Sequence, residues 1–81
     1  MASLQYVIDT ICANFTPDAM YGLVKLRLSQ GSFTIDEILP LIQNKDRSLD
    51  SASAKMIAEA ALEAMARIGD IKVKDNSVYP V

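Results

Sequence analysis

The sequence predicts a mainly helical domain that ends in a β-hairpin. Up to Ile68, apolar residues recur with the 3.6-residue period of helices buried on one face. After Gly69, apolar and polar residues alternate, which is the period of a strand. Asp75 and Asn76 divide this alternating segment and suit a two-residue hairpin turn. We therefore expect one domain over residues 1–81, with an extra N-terminal helix in 1–15, a helical core in 17–68 and a hairpin in 70–81.

The first helix is expected over residues 3–15. Ser3 belongs to a residue type that caps helix N-termini. Apolar residues then follow at helical spacing, which predicts one amphipathic stripe. The stripe consists of Leu4, Val7, Ile8, Ile11, Cys12 and Phe15. Because Cys12 falls on it, a buried and unreactive thiol is the expectation for this cysteine.

The second helix is expected over residues 17–30. Thr16 can cap it, Pro17 fits its first turn, and Gly31 ends it. Lys25 and Arg27 are expected to face outward. The positions expected to face inward are Met20, Leu23, Val24 and Leu28.

A short extended segment, 32–34, precedes a third helix over residues 35–44. The spacing of Thr34 and Glu37 matches a capping box. Pro40 removes one backbone donor inside this helix, so a kink or a short, tightened helix is expected there. Residues 44–48 form a polar connection to the next helix.

The longest helix is expected over residues 51–68, capped by Asp50 or Ser51. Its outer stripe places Lys55, Glu59, Glu63 and Arg67 four residues apart, with a favourable Glu63–Arg67 pair. Its predicted inner face is Ile57, Ala60, Ala61, Ala64, Met65 and Ile68, and Met56 is also assigned to packing.

In the hairpin, a turn at Asp75-Asn76 pairs Val73 with Val78 on the inner face. The same register pairs Lys72 with Tyr79 on the outer face. The residues predicted to be buried against one another are Ile57, Ala61, Met65, Leu39, Ile42, Leu23 and Val73.

Composition argues against catalysis. The chain has no histidine and one cysteine, so the usual general base and transition-metal ligand are missing. No glycine-rich phosphate loop or calcium-binding loop is present. We therefore expect no enzyme, cofactor, metal or small-molecule substrate.

No stretch approaches the roughly 20 apolar residues of a membrane span, and one cysteine cannot form an internal disulfide. A soluble, cytoplasmic protein is expected.

From Pro17 onward, the predicted order is helix, short strand, helix, helix and hairpin. This order resembles the winged helix-turn-helix superfamily over most of the chain. The resemblance implies that residues 51–68 are the third helix of that fold and that residues 71–81 are its wing. Residues 3–15 would be an additional helix for self-association or partner contact. Because its stripe carries more apolar surface than a three-helix core needs, this helix is expected either to pack onto Met20 and Leu28 or to form a dimer interface. The interface residues would be Leu4, Ile8, Ile11 and Phe15.

In winged-helix DNA binders, the third helix enters the major groove and the wing contacts the backbone or the minor groove. By position, the resemblance implies DNA contacts from Lys45, Arg47, Ser51, Ser53, Lys55, Lys72, Lys74 and Tyr79. Glu59 and Glu63 do not fit, because carboxylates on the outer stripe repel phosphates. A solvated hairpin face and a simple polar turn are the alternatives for these basic residues.

Two functions therefore stay open. One is a transcription regulator that binds duplex DNA through residues 51–68 and the wing, as a dimer. The other is a winged-helix interaction module or inhibitor whose partner is a protein and which does not bind DNA. The net charge of −2 and the mixed charges of the third helix favour the protein partner, whereas the use of this fold in regulators favours DNA.

Overall fold

The computed structural model describes residues 3–81, which form four α-helices and a small three-stranded antiparallel sheet. The helices are α1 (Leu4–Ile11), α2 (Pro17–Leu28), α3 (Ile35–Lys45) and α4 (Ser51–Arg67). The strands are β1 (Phe33–Thr34), β2 (Ile71–Lys74) and β3 (Ser77–Pro80). The predicted class, mainly α with a small β-hairpin, is confirmed at this level of description.

The helices begin where the capping residues predict. The Tyr6 N–H donates to Ser3 Oγ at 3.1 Å, and the Ala19 N–H donates to Thr16 Oγ1 at 3.2 Å. At α3, the Glu37 carboxylate accepts the Thr34 N–H at 2.6 Å. Such local side-chain bonds satisfy backbone donors that have no partner inside the helix.

The sheet has the strand order β1-β3-β2. Val73 pairs with Val78 and Lys72 with Tyr79, so the predicted hairpin register is confirmed. The turn contains Asp75 at φ 56°. β1 pairs antiparallel with β3, with Phe33 opposite Val78. The sheet therefore joins the segment before α3 to the C-terminal hairpin.

One cluster of buried side chains fills the space between the helices and the sheet. α4 supplies the largest part of it and contacts each of the other helices and β2. The burial of Ile57, Ala61, Met65 and Ile42 is confirmed, whereas Leu23 and Leu39 are only partly buried at the edge of the cluster.

Several helix ends differ from the prediction. α1 stops at Ile11, because Cys12 adopts a left-handed backbone conformation with φ 62°. The predicted burial of Cys12 is therefore wrong: its side chain leaves the apolar stripe and is exposed. α2 ends at Leu28, two residues early, and Gly31 has φ 113°. Pro40 lies within an α3 that continues to Lys45.

The prediction is also wrong for the burial of three apolar side chains. Val73 is 38% exposed because an open groove separates it from α4. Ile68 is 72% exposed because it lies beyond the last helical residue, where the chain turns into β2. Met56 is 53% exposed because it shares the outer face of α4 with Ala52 and Glu59.

Arg27 was expected to face solvent, but its guanidinium folds back over the chain. It lies 5.2 Å from the centre of the Phe33 ring and 3.4 Å from the Glu37 carboxylate. The arginine thus links the end of α2 to β1 and the start of α3 through a cation–π contact and an ion pair.

Within residues 3–81, no helix is both long and apolar enough to cross a bilayer.

Candidate nucleic-acid interface

The connection between α3 and α4 is fixed by a buried carboxylate. Asp46 accepts the Asn14 N–H at 2.8 Å and both the N–H and the hydroxyl of Ser48, at 3.1 and 2.6 Å. The hydroxyl of Ser48, followed by the N–H groups of Asn14 and Ser48, lowers the pKa of Asp46 from its ordinary value. One side chain therefore holds the α1–α2 loop against the α3–α4 loop, and Arg47 follows it directly in an exposed position.

Asp46→Asn is expected to lower the free energy of unfolding at neutral pH, because it removes a carboxylate that accepts three hydrogen bonds. The pKa in the folded chain lies below the unfolded value of 3.8. Ionised Asp46 therefore contributes fully to the free energy of unfolding at pH values above its pKa in the unfolded chain. This contribution is lost as the pH falls through its lower pKa in the folded chain. Urea melts of both proteins from roughly pH 7 to pH 2 measure this. A difference between the two proteins that stays constant over the whole range would contradict the assignment.

The first turns of α4 carry the helix residues that the resemblance assigns to DNA. Asp50 caps the helix, and the Ser53 N–H donates to its Oδ1 at 2.7 Å. The side chains of Ser51 and Lys55 are exposed, and Ser53 is half-buried. No acidic residue lies in the first turn. The N-terminal end of α4 therefore presents small polar side chains and a lysine, beside the Asp50 carboxylate that caps the helix.

The hairpin carries the other predicted contacts on the face of the sheet that points away from α4. Lys72 and Tyr79 are directly paired, and Lys74 pairs with Ser77 two residues along. Because side chains alternate along a strand, Lys72, Lys74 and Tyr79 share one face. Tyr79 is 41% exposed, and both lysines are exposed. The structure thus brings these three residues together.

The salt bridges divide the eight basic residues into two groups. Lys25 contacts Asp70 at 3.7 Å, Arg27 contacts Glu37 at 3.4 Å, and Arg67 contacts Glu63 at 3.2 Å. This confirms the predicted Glu63–Arg67 pair. The other five basic side chains make no salt bridge within residues 3–81, and all five are exposed. They are Lys45, Arg47, Lys55, Lys72 and Lys74.

Acidic side chains occupy the middle of the outer face of α4. Glu59 and Glu63 line a groove with Val73 of β2, in the space between α4 and the inner face of the hairpin. The two glutamates thus lie between the basic start of α4 and the place where β2 meets the helix. Phosphates would be repelled from this part of the surface.

The predicted interface residues of α1 are divided between core and edge. Leu4 and Ile8 are each only 3% exposed within a single chain, and Ile11 and Phe15 pack partly buried against the core. α1 packs mainly on α4 and also contacts α2. Its stripe is thus largely covered inside the chain, mainly by α4 and to a smaller extent by α2, the helix that carries Met20 and Leu28.

The sequence analysis did not predict two polar contacts between residues that are distant in the chain or lie on different helices. The bond from Asn14 to Asp46 spans 32 positions, and the bond from Arg27 to Glu37 joins two helices. Neither pairing has a signal in the local sequence. Within the described residues, no cluster of histidine, cysteine or acidic side chains could hold a metal ion.

Comparisons with protein-family models, with curated proteins and with solved structures each yield no match for this chain.

Proposed function

We propose that the chain is a winged helix-turn-helix protein that binds duplex DNA and regulates transcription. In this proposal, α3 and α4 form the helix-turn-helix, and the β2–β3 hairpin is the wing. The element order and the strand order β1-β3-β2 support the assignment, because β1 joins the hairpin beside the start of α3. The Ile35 N–H also donates to the Asn76 carbonyl at 2.9 Å, which anchors the tip of the hairpin to α3.

The observation that carries the proposal is the distribution of unpaired positive charge. Every basic side chain without a salt bridge in residues 3–81 lies at the end of α3, in the following loop, in the second turn of α4 or on β2. Exposed, uncompensated lysine and arginine side chains provide the phosphate contacts that dominate affinity for DNA. These five residues are also the basic ones that the resemblance implies for DNA.

The acidic part of α4 restricts how the helix could approach a duplex. Glu59 and Glu63 follow Lys55 on the outer face of α4. If this helix lay flat in the major groove of DNA, their carboxylates would come near phosphates. We therefore propose that α4 enters the major groove by its N-terminal end, with Ser51 and Lys55 leading. The serine hydroxyl and the lysine at this end can contact DNA phosphates, whereas the helix N–H of Ser53 is already bonded to Asp50.

Substitutions in α4 that change one charge each test this arrangement. Lys55→Ala is expected to weaken binding to random duplex DNA, whereas Glu59→Gln is expected to strengthen it by removing a repelling charge. Fluorescence anisotropy with a labelled duplex measures both. Lys25→Ala is the matched control, because it removes the same charge from an exposed side chain on α2. Equal losses of DNA affinity for Lys55→Ala and Lys25→Ala would show that only net charge matters. That result would contradict the proposed approach of α4 to DNA.

A further inference from the structure

The open groove beside the hairpin has a composition that does not suit DNA. It has a volume of about 360 Å³ and lies between α4, the start of α3 and the inner face of β2. Four apolar residues and two glutamates line it, and no basic residue does. These residues are Ile35, Glu59, Leu62, Glu63, Ala66 and Val73.

The charge of this groove is only partly balanced by the chain itself. Glu63 pairs with Arg67 at 3.2 Å, whereas Glu59 forms no salt bridge or hydrogen bond within the described residues. Lys72 and Lys74 do not compensate Glu59, because they lie on the opposite face of the sheet from Val73. The groove thus combines exposed apolar surface on Val73 with an unpaired carboxylate.

We propose that this groove binds a segment of another protein that carries both apolar side chains and lysine or arginine. The apolar side chains would cover Val73 and Ala66, and a cation would pair with Glu59. The argument is charge complementarity: an acidic, apolar groove disfavours phosphates and acidic segments, and favours a basic, apolar one. This proposal does not depend on DNA binding, since it concerns the part of α4 from which phosphates are repelled.

Peptides of opposite charge test the proposal on the 81-residue chain. One probe alternates leucine with lysine, and the second replaces each lysine by glutamate. We expect the lysine peptide alone to bind, with NMR shifts centred on the methyl groups of Val73 and Ala66. Glu59→Gln is expected to weaken this binding by up to about fivefold, the effect of losing one exposed charge pair. Asp18→Asn removes the same charge from an exposed position on α2 and is expected to change nothing.

Three results would overturn the proposal. The first is equal binding of both peptides, and the second is an equal effect of Glu59→Gln and Asp18→Asn, since either would mean non-specific attraction. The third is a shift of the Val73 methyl groups with protein concentration alone, which would mean that a second copy covers the groove. Glu59→Gln is expected to strengthen DNA binding but to weaken peptide binding. Failure of one proposal is therefore distinguishable from failure of the other.

Discussion

Ile57→Ala is expected to lower the free energy of unfolding by ~2–5 kcal/mol, as large-to-small substitutions at buried sites do. Ile57 is fully buried on the inner face of α4 and belongs to the cluster shared by the helices and the sheet. The loss combines the transfer free energy of the removed methyl and methylene groups with the cavity that the surrounding side chains cannot fill. For a domain of this size, each kilocalorie lowers the melting temperature by about 4–8 °C.

Met56→Ala is the matched control for this experiment. Met56 is the preceding residue on the same helix, yet it is 53% exposed and lies on the outer face. We expect its substitution to change stability by less than about 0.5 kcal/mol, as is usual for surface positions. Urea melts of the two variants beside the wild type measure the difference. Equal losses, or a loss below about 0.5 kcal/mol for Ile57→Ala, would show that the face assignment of α4 is wrong.

The starts of the helices and the hairpin register were predictable because their causes are local. Ser3, Thr16 and Asp50 each bond to a backbone N–H three residues later. The pairing of Val73 with Val78 follows from alternation around a two-residue turn. Such interactions involve residues that are close in the sequence, so the local sequence pattern predicts them.

Where the prediction was wrong, the cause is tertiary or conformational. The apolar stripe of α1 continues to Phe15, but the backbone leaves the helix at Cys12, and side-chain periodicity does not register that change. Alternation places Val73 on the inner face without indicating that the space beneath it stays open. The position of Arg27 over Phe33 depends on how α2 meets β1, which only the fold determines.

The candidate DNA-binding residues were only partly predictable from the sequence. The resemblance singled out the five basic residues by their place in the element order, and the structure adds that all five lack a salt bridge in the described part of the chain. The groove beside Val73 could not be predicted, because it depends on the distance between α4 and the hairpin.

The combined variant Lys72→Ala and Lys74→Ala is expected to show the largest loss of DNA binding among the substitutions considered. Both side chains are exposed on one face of the hairpin and make no salt bridge within residues 3–81. If each neutralises one phosphate, removing both lowers affinity on the order of 50-fold near 0.1 M salt, because two fewer counterions are released. The loss should be similar on all sequences, since phosphate contacts carry no base information.

Lys25→Glu is the control for this variant, because it changes the net charge by the same amount at a side chain on α2 that pairs with Asp70. We expect only a small effect of Lys25→Glu in the same anisotropy titration. If the two proteins lose affinity equally, long-range charge rather than the hairpin governs binding. If neither loses affinity, the hairpin lysines are an ordinary solvated face.

The salt dependence of binding to random duplex DNA tests the proposed function most directly. Five phosphate contacts, from Lys45, Arg47, Lys55, Lys72 and Lys74, predict a slope of about −4.5 for the logarithm of the association constant against the logarithm of salt concentration. The Lys72→Ala and Lys74→Ala variant should have a slope shallower by about 2. Absence of binding at about 50 mM salt, or a wild-type slope near zero, would contradict the proposal that this surface binds DNA.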